Sequence, residues 1–224
     1  MLSVVIPTLN AAACLADALA SLAEARARGL AYEVVVSDGG SEDGTVAAAQ
    51  KAGARVVIGP RGRGAQLARG AAAAAGDWLL FLHADTRLAS GWAGAVQAFM
   101  ASEDGRAGYF RLVLDDPGGA ARRIEVLARL RCALLALPYG DQGLLIARTD
   151  YESIGGFRPL PLMEDVDIVR RLGRGHLSAI DHAAITSAER YRRDGWWARP
   201  LRNLMCLSLY FLGVPPARLL QLYR

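Results

Sequence analysis

The sequence predicts an α/β fold, a mostly parallel sheet flanked by helices, and three observations predict it. Short apolar runs of strand length alternate with Ala/Leu-rich segments of helix length. Several runs, 79–82 above all, are apolar throughout, the pattern of strands buried on both faces. Gly29 and Gly53 stand directly after two of the helical segments, where a left-handed residue ends a helix.

Taken in order, Leu2 to Asn10 reads as a buried strand stopping at Pro7, which has no N–H for a sheet ladder. A helix over 12–28 follows, then a strand over 32–37 that runs into the glycine- and aspartate-rich loop Asp38 to Thr45. The spacing next predicts a helix over 43–52, a strand over 54–58, a helix over 64–75, a strand over 77–82 and a helix over 91–102. The alanine run 71–75 reads as a tightly packed helix surface. Tyr109 to Leu114 alternates like a half-exposed strand, Ala120 to Leu137 has a helical apolar face, and 144–148 is again strand-like. Tyr151 to Phe157 reads as a short helix and turn, Glu164 to about Leu172 as a helix, and His176 to Ile180 as a strand.

A chain of 224 residues without a composition break suits one domain with a substantial core. The net charge of +4 is modest and carried almost entirely by arginine, without the dense basic patch and exposed aromatics of a nucleic-acid binder. Cys14, Cys132 and Cys206 show neither pairing nor metal-ligand spacing, which predicts a reducing compartment. The chain opens on a strand with no visible leader, so the expected location is cytoplasmic, with the inner face of the cell membrane as an alternative. That alternative comes from Trp196-Trp197 and the apolar run 204–214, too short to span a bilayer. The segment 195–214 is expected to pack on the domain, to form a homodimer contact, or to lie in a membrane interface.

Candidate chemistry gathers where the strands end. Leu79-Leu80-Phe81-Leu82 breaks off into His83-Ala84-Asp85-Thr86, which puts Asp85 beyond a strand's carboxyl end, where open α/β sheets bind ligands. A carboxylate there suits a divalent cation set against phosphate oxygens; the plainer role is a cap for the following helix. Pro7-Thr8, Asp38 and Asp85 are expected at the same sheet edge, with the loop aspartates available to a ligand. Gly59 to Gln66 carries Arg61 and Arg63 on a glycine-rich turn that opens a helix, either an anion cradle or an ordinary loop. Leu162-Met163-Glu164-Asp165-Val166-Asp167 sets three carboxylates at a helix start, where the helix dipole favours one or two of them. Tyr139-Gly140-Asp141-Gln142-Gly143 is a polar turn beside a strand or a ligand-facing loop.

In this order the motifs resemble family 2 glycosyltransferases, with a strand ending Pro7-Thr8-x-Asn10, then Asp38-Gly-x-Ser41-x-Asp43-Gly-Thr45, then a metal motif. The chain is most similar to a small bacterial subgroup whose metal motif reads Phe-Leu-His-Ala-Asp-Thr, with His83 where most relatives carry the first Asp of Asp-x-Asp. The resemblance implies a GT-A fold over 1–224, with a nucleotide-sugar-binding half (1–105), an acceptor and catalytic half (106–194) and an apolar helical tail (195–224). It implies inverting transfer from a nucleoside-diphosphate sugar to a lipid-linked, saccharide or small-molecule acceptor, with manganese or magnesium as cofactor. Asp165 would be the general base and Glu164 its neighbour toward the acceptor. Donor contacts would come from Pro7, Thr8, Asn10, Asp38, Arg63, His83, Ala84, Asp85, Asp141, Gln142, Arg192 and Arg193, and metal ligation from Asp85 with His182 as a second candidate. Two rivals stand beside it: a sugar-phosphate nucleotidyltransferase, whose glycine-rich loop with Arg and Lys would follow the first strand, and a non-catalytic nucleotide-sugar-binding protein of the same fold.

Overall fold

The computed structural model describes residues 1–102 and 107–223. Its first half alternates strand and helix: β1 (Leu2–Thr8), α1 (Ala12–Leu22), α2 (Glu24–Ala27), β2 (Tyr32–Asp38), α3 (Thr45–Lys51), β3 (Arg55–Ile58), α4 (Arg63–Ala73), β4 (Trp78–Phe81), β5 (Thr86–Leu88) and α5 (Trp92–Ala101). The second half runs β6 (Ala107–Leu114), α6 (Gly119–Leu135), β7 (Leu144–Ala147), α7 (Arg148–Ser153), α8 (Glu164–Leu172), β8 (Leu177–Thr186), α9 (Glu189–Asp194), α10 (Ala198–Phe211) and α11 (Pro216–Tyr223).

The strands form one sheet in the order β3-β2-β1-β4-β7-β6-β8-β5. Pairings β1–β2, β2–β3, β1–β4 and β6–β8 are parallel, whereas β7 runs antiparallel to β4 and β6, and β5 antiparallel to β8. The expected mostly parallel α/β sheet is therefore observed, with the antiparallel β7 between β4 and β6. Side chains alternate across it: Val4 and Ile6 enter a core with Leu15, Leu80 and Trp92, and Val5 enters the other with Leu67, Leu79 and Phe81. At Gly70, α4 comes so close to β1 that an added Cβ would sit 2.4 Å from Val5 Cγ1.

Two local expectations are corrected and one unexpected strand is added. β1 does not stop at Pro7 but pairs through Thr8↔Asp38. Val5 faces β4, accepting the Leu82 N–H, so Pro7 two residues on faces the same way, past the last β1–β4 pair, Val5↔Phe81, where its missing N–H costs no ladder bond. β8 also runs beyond Ile180, because a bulge absorbs Asp181 and His182: Phe110 pairs with Ile180 and the next residue, Arg111, with Ala183. β5, of three residues, is too short to show a pattern; it is held to β8 by Thr86↔Thr186, whose hydroxyls lie 2.6 Å apart.

The tail is partly core. Cys206, Leu207 and Leu219 are buried in the cluster with Val169 and Leu172, while Trp197, Leu201, Leu204, Phe211 and Leu212 stay exposed. Among the described residues no helix is long and apolar enough to cross a membrane.

Candidate active site

β1, β2 and β4 lie side by side and parallel, so the segments after them leave the same sheet edge. Hydrogen bonds tie the first two into one platform. The Thr8 hydroxyl donates to Asp38 Oδ1 at 2.9 Å, and Gln66 Nε2 donates to the Thr8 and Ser37 carbonyls at 2.7 and 3.0 Å. Asp38 also accepts from the Gly40 and Ser41 N–H groups at 2.8 and 2.7 Å and from the Ser41 hydroxyl at 2.6 Å. Burial raises its pKa, but these donors outweigh that and hold the carboxyl below its ordinary range. The loop aspartates, expected free for a ligand, thus shape the loop instead: Asp38 is fully buried, and Asp43 accepts from Thr45 and from the Ala12 N–H. Asn10, in the left-handed region at φ 50°, accepts the Glu42 N–H at 2.9 Å and closes the platform's rim.

Beyond β4, His83 and Asp85 enter a pocket of about 80 Å³ with Arg63, Tyr139, Gly140, Asp141, Asp165, Thr186, Ser187 and Arg190 on its walls. Ala84, between them, is buried. The Asp85 side chain is 21 % exposed and its Oδ2 lies 3.6 Å from Arg190. Burial and the Arg63 charge lower the His83 imidazole to about 4 against the pull of Asp85 and Asp165, so the ring is neutral at pH 7. It packs tightly on the 140 turn: a Cβ on Gly140 would meet His83 Nε2 at 2.5 Å.

The acidic cluster reaches this pocket through strained backbone. Met163, before α8, holds φ 64°, a left-handed conformation costly for a side-chain-bearing residue, and it turns the chain so that Glu164 and Asp165 start the helix. Asp165 Oδ2 accepts the Gly140 N–H at 3.0 Å. Glu164 is buried, 3.4 Å from Arg63 Nη1; burial raises its carboxyl to about 7, with Arg63 pulling down and Asp165 pushing up. Asp167 instead faces Arg158 at 3.2 Å and Arg171 at 2.6 Å, while Arg171 also donates to the Ile154 and Gly156 carbonyls at 2.5 and 2.7 Å. Its work is to pin the 154–158 turn to α8. Asp141 is raised to about 6 by burial and by its neighbours Asp165 and Asp85, with Arg131 opposing.

Four expected site residues lie elsewhere. His182 sits in the β8 bulge with Nε2 at 3.0 and 2.8 Å from the Ala89 and Ser90 carbonyls, four residues before the end of β8 that borders the pocket. Gln142 is buried and engaged at both ends: its Oε1 accepts from Arg131 and the Tyr139 N–H, and its Nε2 donates to the Phe110 carbonyl at 3.0 Å. Arg192 pairs with Asp115 and Asp116, and Arg193 with Asp194. Arg190 takes the place expected for them, because 189–194 is a helix rather than a loop, and residues two apart on a helix point to opposite sides. Its helical spacing was the signal available. Tyr191, Arg199, Asn203 and Tyr223, which also line the pocket, arrive from α9, α10 and α11; nothing local in the sequence marks them.

Residues 3–134 match the family described as "Glycosyl transferase family 2". The chain belongs to glycosyl transferase family 2. Among solved structures it is similar to glucosyl-3-phosphoglycerate synthase from Mycobacterium tuberculosis in complex with Mn2+, UDP and glucosyl-3-phosphoglycerate, at 25% identity and TM-score 0.59, covering 82% of this chain and 70% of that one. The same synthase with Mn2+, UDP-glucose and phosphoglyceric acid superposes with TM-score 0.58 at 25% identity, covering 82% and 69%. A mycobacterial protein of TM-score 0.63 and 23% identity covers 96% of this chain and 76% of its own, and shares the fold. No curated protein matches the chain. The platform and the pocket beyond β4 stand at the same sheet edge, where open α/β sheets bind ligands.

Proposed function

We propose that this chain transfers a sugar from a nucleoside-diphosphate sugar to an acceptor hydroxyl, with inversion, as part of the subgroup whose metal motif carries His83 in place of an aspartate. The observation that carries this reading is one pocket holding Asp165, anchored by the Gly140 N–H, together with Asp85, Arg190 and Arg63. The similar synthase complexes contain Mn2+ with UDP or UDP-glucose, which supports the same donor class and cation here. The donor would lie over the 1–105 half and the acceptor against the 106–194 half.

The residues present suit a divalent cation that shares its ligands with the donor. Among the described residues no three His, Cys, Asp or Glu side chains cluster to hold a metal alone, while Asp85 offers a partly exposed carboxylate beside the neutral His83. Asp85 would hold Mn2+ or Mg2+ against diphosphate oxygens, and the bound cation would offset charge on the leaving diphosphate. Arg190 and Arg63 add fixed positive charge on the same side of the chemistry. The acceptor oxygen attacks the anomeric carbon as the bond from that carbon to the diphosphate oxygen breaks; the electron pair leaves with the diphosphate and the hydroxyl proton passes to Asp165. Glu164, held by Arg63, fixes the start of α8 and the field around that base.

The test is Asp165→Asn. A panel of nucleoside diphosphates and their sugars, with and without manganese, identifies the donor by thermal shift. Calorimetry with that donor should then give wild-type affinity, while turnover falls by roughly 10²–10⁴-fold, the usual worth of a positioned base. An Asp165→Asn enzyme that turns over normally would end the mechanism.

A further inference from the structure

Between α6 and α10 runs an apolar groove of about 750 Å³, within the roughly 300–1,000 Å³ of small-molecule sites. Its walls include Ile124, Leu127, Trp196, Trp197, Leu201 and Leu204. The fold leaves much of this surface uncovered: Leu127 is 53% exposed, Leu201 68% and Trp197 71%. The groove does not end blindly. Tyr139, Asp141, Tyr191 and Asn203 line both it and the pocket of Asp85 and Asp165. At that junction Asp141 Oδ1 and Asn203 Oδ1 are buried without a hydrogen-bond partner, two acceptor oxygens that call for donors from a ligand.

We propose that the acceptor is an amphiphile: its apolar body lies in the α6–α10 groove, and its hydroxyl head sits at Asp141 and Asn203, next to Asp165. This rests on the transferase reading. The chemistry follows from the two ends. A head with several hydroxyls supplies separate O–H donors to the two unpartnered oxygens and a further hydroxyl whose proton passes to Asp165. An apolar body removes the exposed leucines of α6 and α10, and Trp197 just before α10, from water. A small polar acceptor would fill the 80 Å³ pocket and leave the adjoining groove bare.

Alkyl β-glucosides with octyl, decyl and dodecyl chains, used below their micelle concentrations, are the probe. They carry hydroxyl heads on apolar tails, and Trp196 and Trp197 report their binding by fluorescence. Affinity should rise roughly threefold to fourfold per added methylene, as for burial of a CH₂ group. The pair Leu127→Glu and Leu201→Glu, both on exposed positions where folding is not at stake, should each weaken dodecyl glucoside at least tenfold; glucose alone should bind both proteins alike. Absence of a chain-length dependence would overturn the proposal. So would loss, in these variants, of binding to phosphatidylcholine/phosphatidylglycerol vesicles without any binding of monomeric glucoside, which makes the groove a membrane surface. A concentration-dependent dimer in sedimentation that Leu201→Glu dissolves would assign it to a second copy and overturn the proposal too. The transferase reading is judged separately, by manganese-dependent thermal shift of the wild-type protein with UDP and other nucleoside diphosphates; a positive shift beside a flat chain-length series refutes the groove and spares the transferase.

Discussion

Gly64 lies in the first turn of α4, directly after Arg63, and its α-carbon presses against the turn that leads to the acidic cluster. A Cβ placed there would stand 2.2 Å from the Arg158 carbonyl oxygen, 2.8 Å from the Leu160 nitrogen and 2.9 Å from the Leu160 oxygen. Contacts under 3.0 Å are essentially never made by a real Cβ, and these atoms are backbone, so no rotamer relieves them. Gly64→Ala therefore has to push α4 and residues 158–160 apart by somewhat under 1 Å, the gap between 2.2 and 3.0 Å. Overpacking of this kind costs about 1–3 kcal/mol. Arg158 is paired with Asp167, and Arg63 with Glu164, so the displacement travels into α8 and the pocket. The assay is urea unfolding followed by circular dichroism, with Gly94→Ala as a matched control. Gly94 is a helical glycine in α5 with nothing within 4 Å of its would-be Cβ, and the same substitution there should stabilise by about 0.5–1 kcal/mol. The two variants should move in opposite directions. A Gly64→Ala protein as stable as wild type would refute the claim that α4 and the 158–160 turn are in rigid contact.

Asp167→Ala should cost about 3 kcal/mol in the same unfolding assay, because it leaves Arg171, only 17% exposed, without its carboxylate partner; a loss under about 1 kcal/mol would show that the Ile154 and Gly156 carbonyls suffice to hold the guanidinium. The pH dependence follows from Glu164, whose carboxyl rises from 4.5 to about 7 in the fold, with burial as the first cause. A raised folded pKa favours the protonated form, so this group's contribution to stability is complete below pH 4.5 and lost as pH climbs through about 7. Glu164→Gln should accordingly unfold at higher denaturant than wild type at pH 8, with the difference shrinking toward pH 4.5; equal midpoints at pH 8 would mean that the Arg63 pair fully offsets the burial.

What the sequence determined by itself was whatever local pattern encodes. The apolar runs gave β1, β2, β3 and β4, their glycine stops gave the helix ends, and the ordered motifs from Pro7 through the metal motif at Asp85 gave the family, since each motif depends on neighbours a few residues apart. Asp85 and Asp165 could be singled out for the same reason: each closely follows an apolar run, one past a strand's end and one at a helix start. What only the tertiary structure decided was which polar side chains face one another. Asp38 and Gln142 look like ligand groups in the sequence and are consumed by internal donors and acceptors. His182 looked like a late metal ligand, and a bulge in β8 turned it to the Ala89 and Ser90 carbonyls. Arg190 and not Arg192 reaches Asp85, because the helical rotation of α9 separates neighbours that a loop would leave equivalent. The α6–α10 groove lies furthest from local pattern: its two walls are about 70 residues apart in the chain, and each helix alone shows only an apolar face. Whether such a face is covered, or left open beside two unpartnered oxygens, depends on where the rest of the chain packs, and that is a property of the assembled fold.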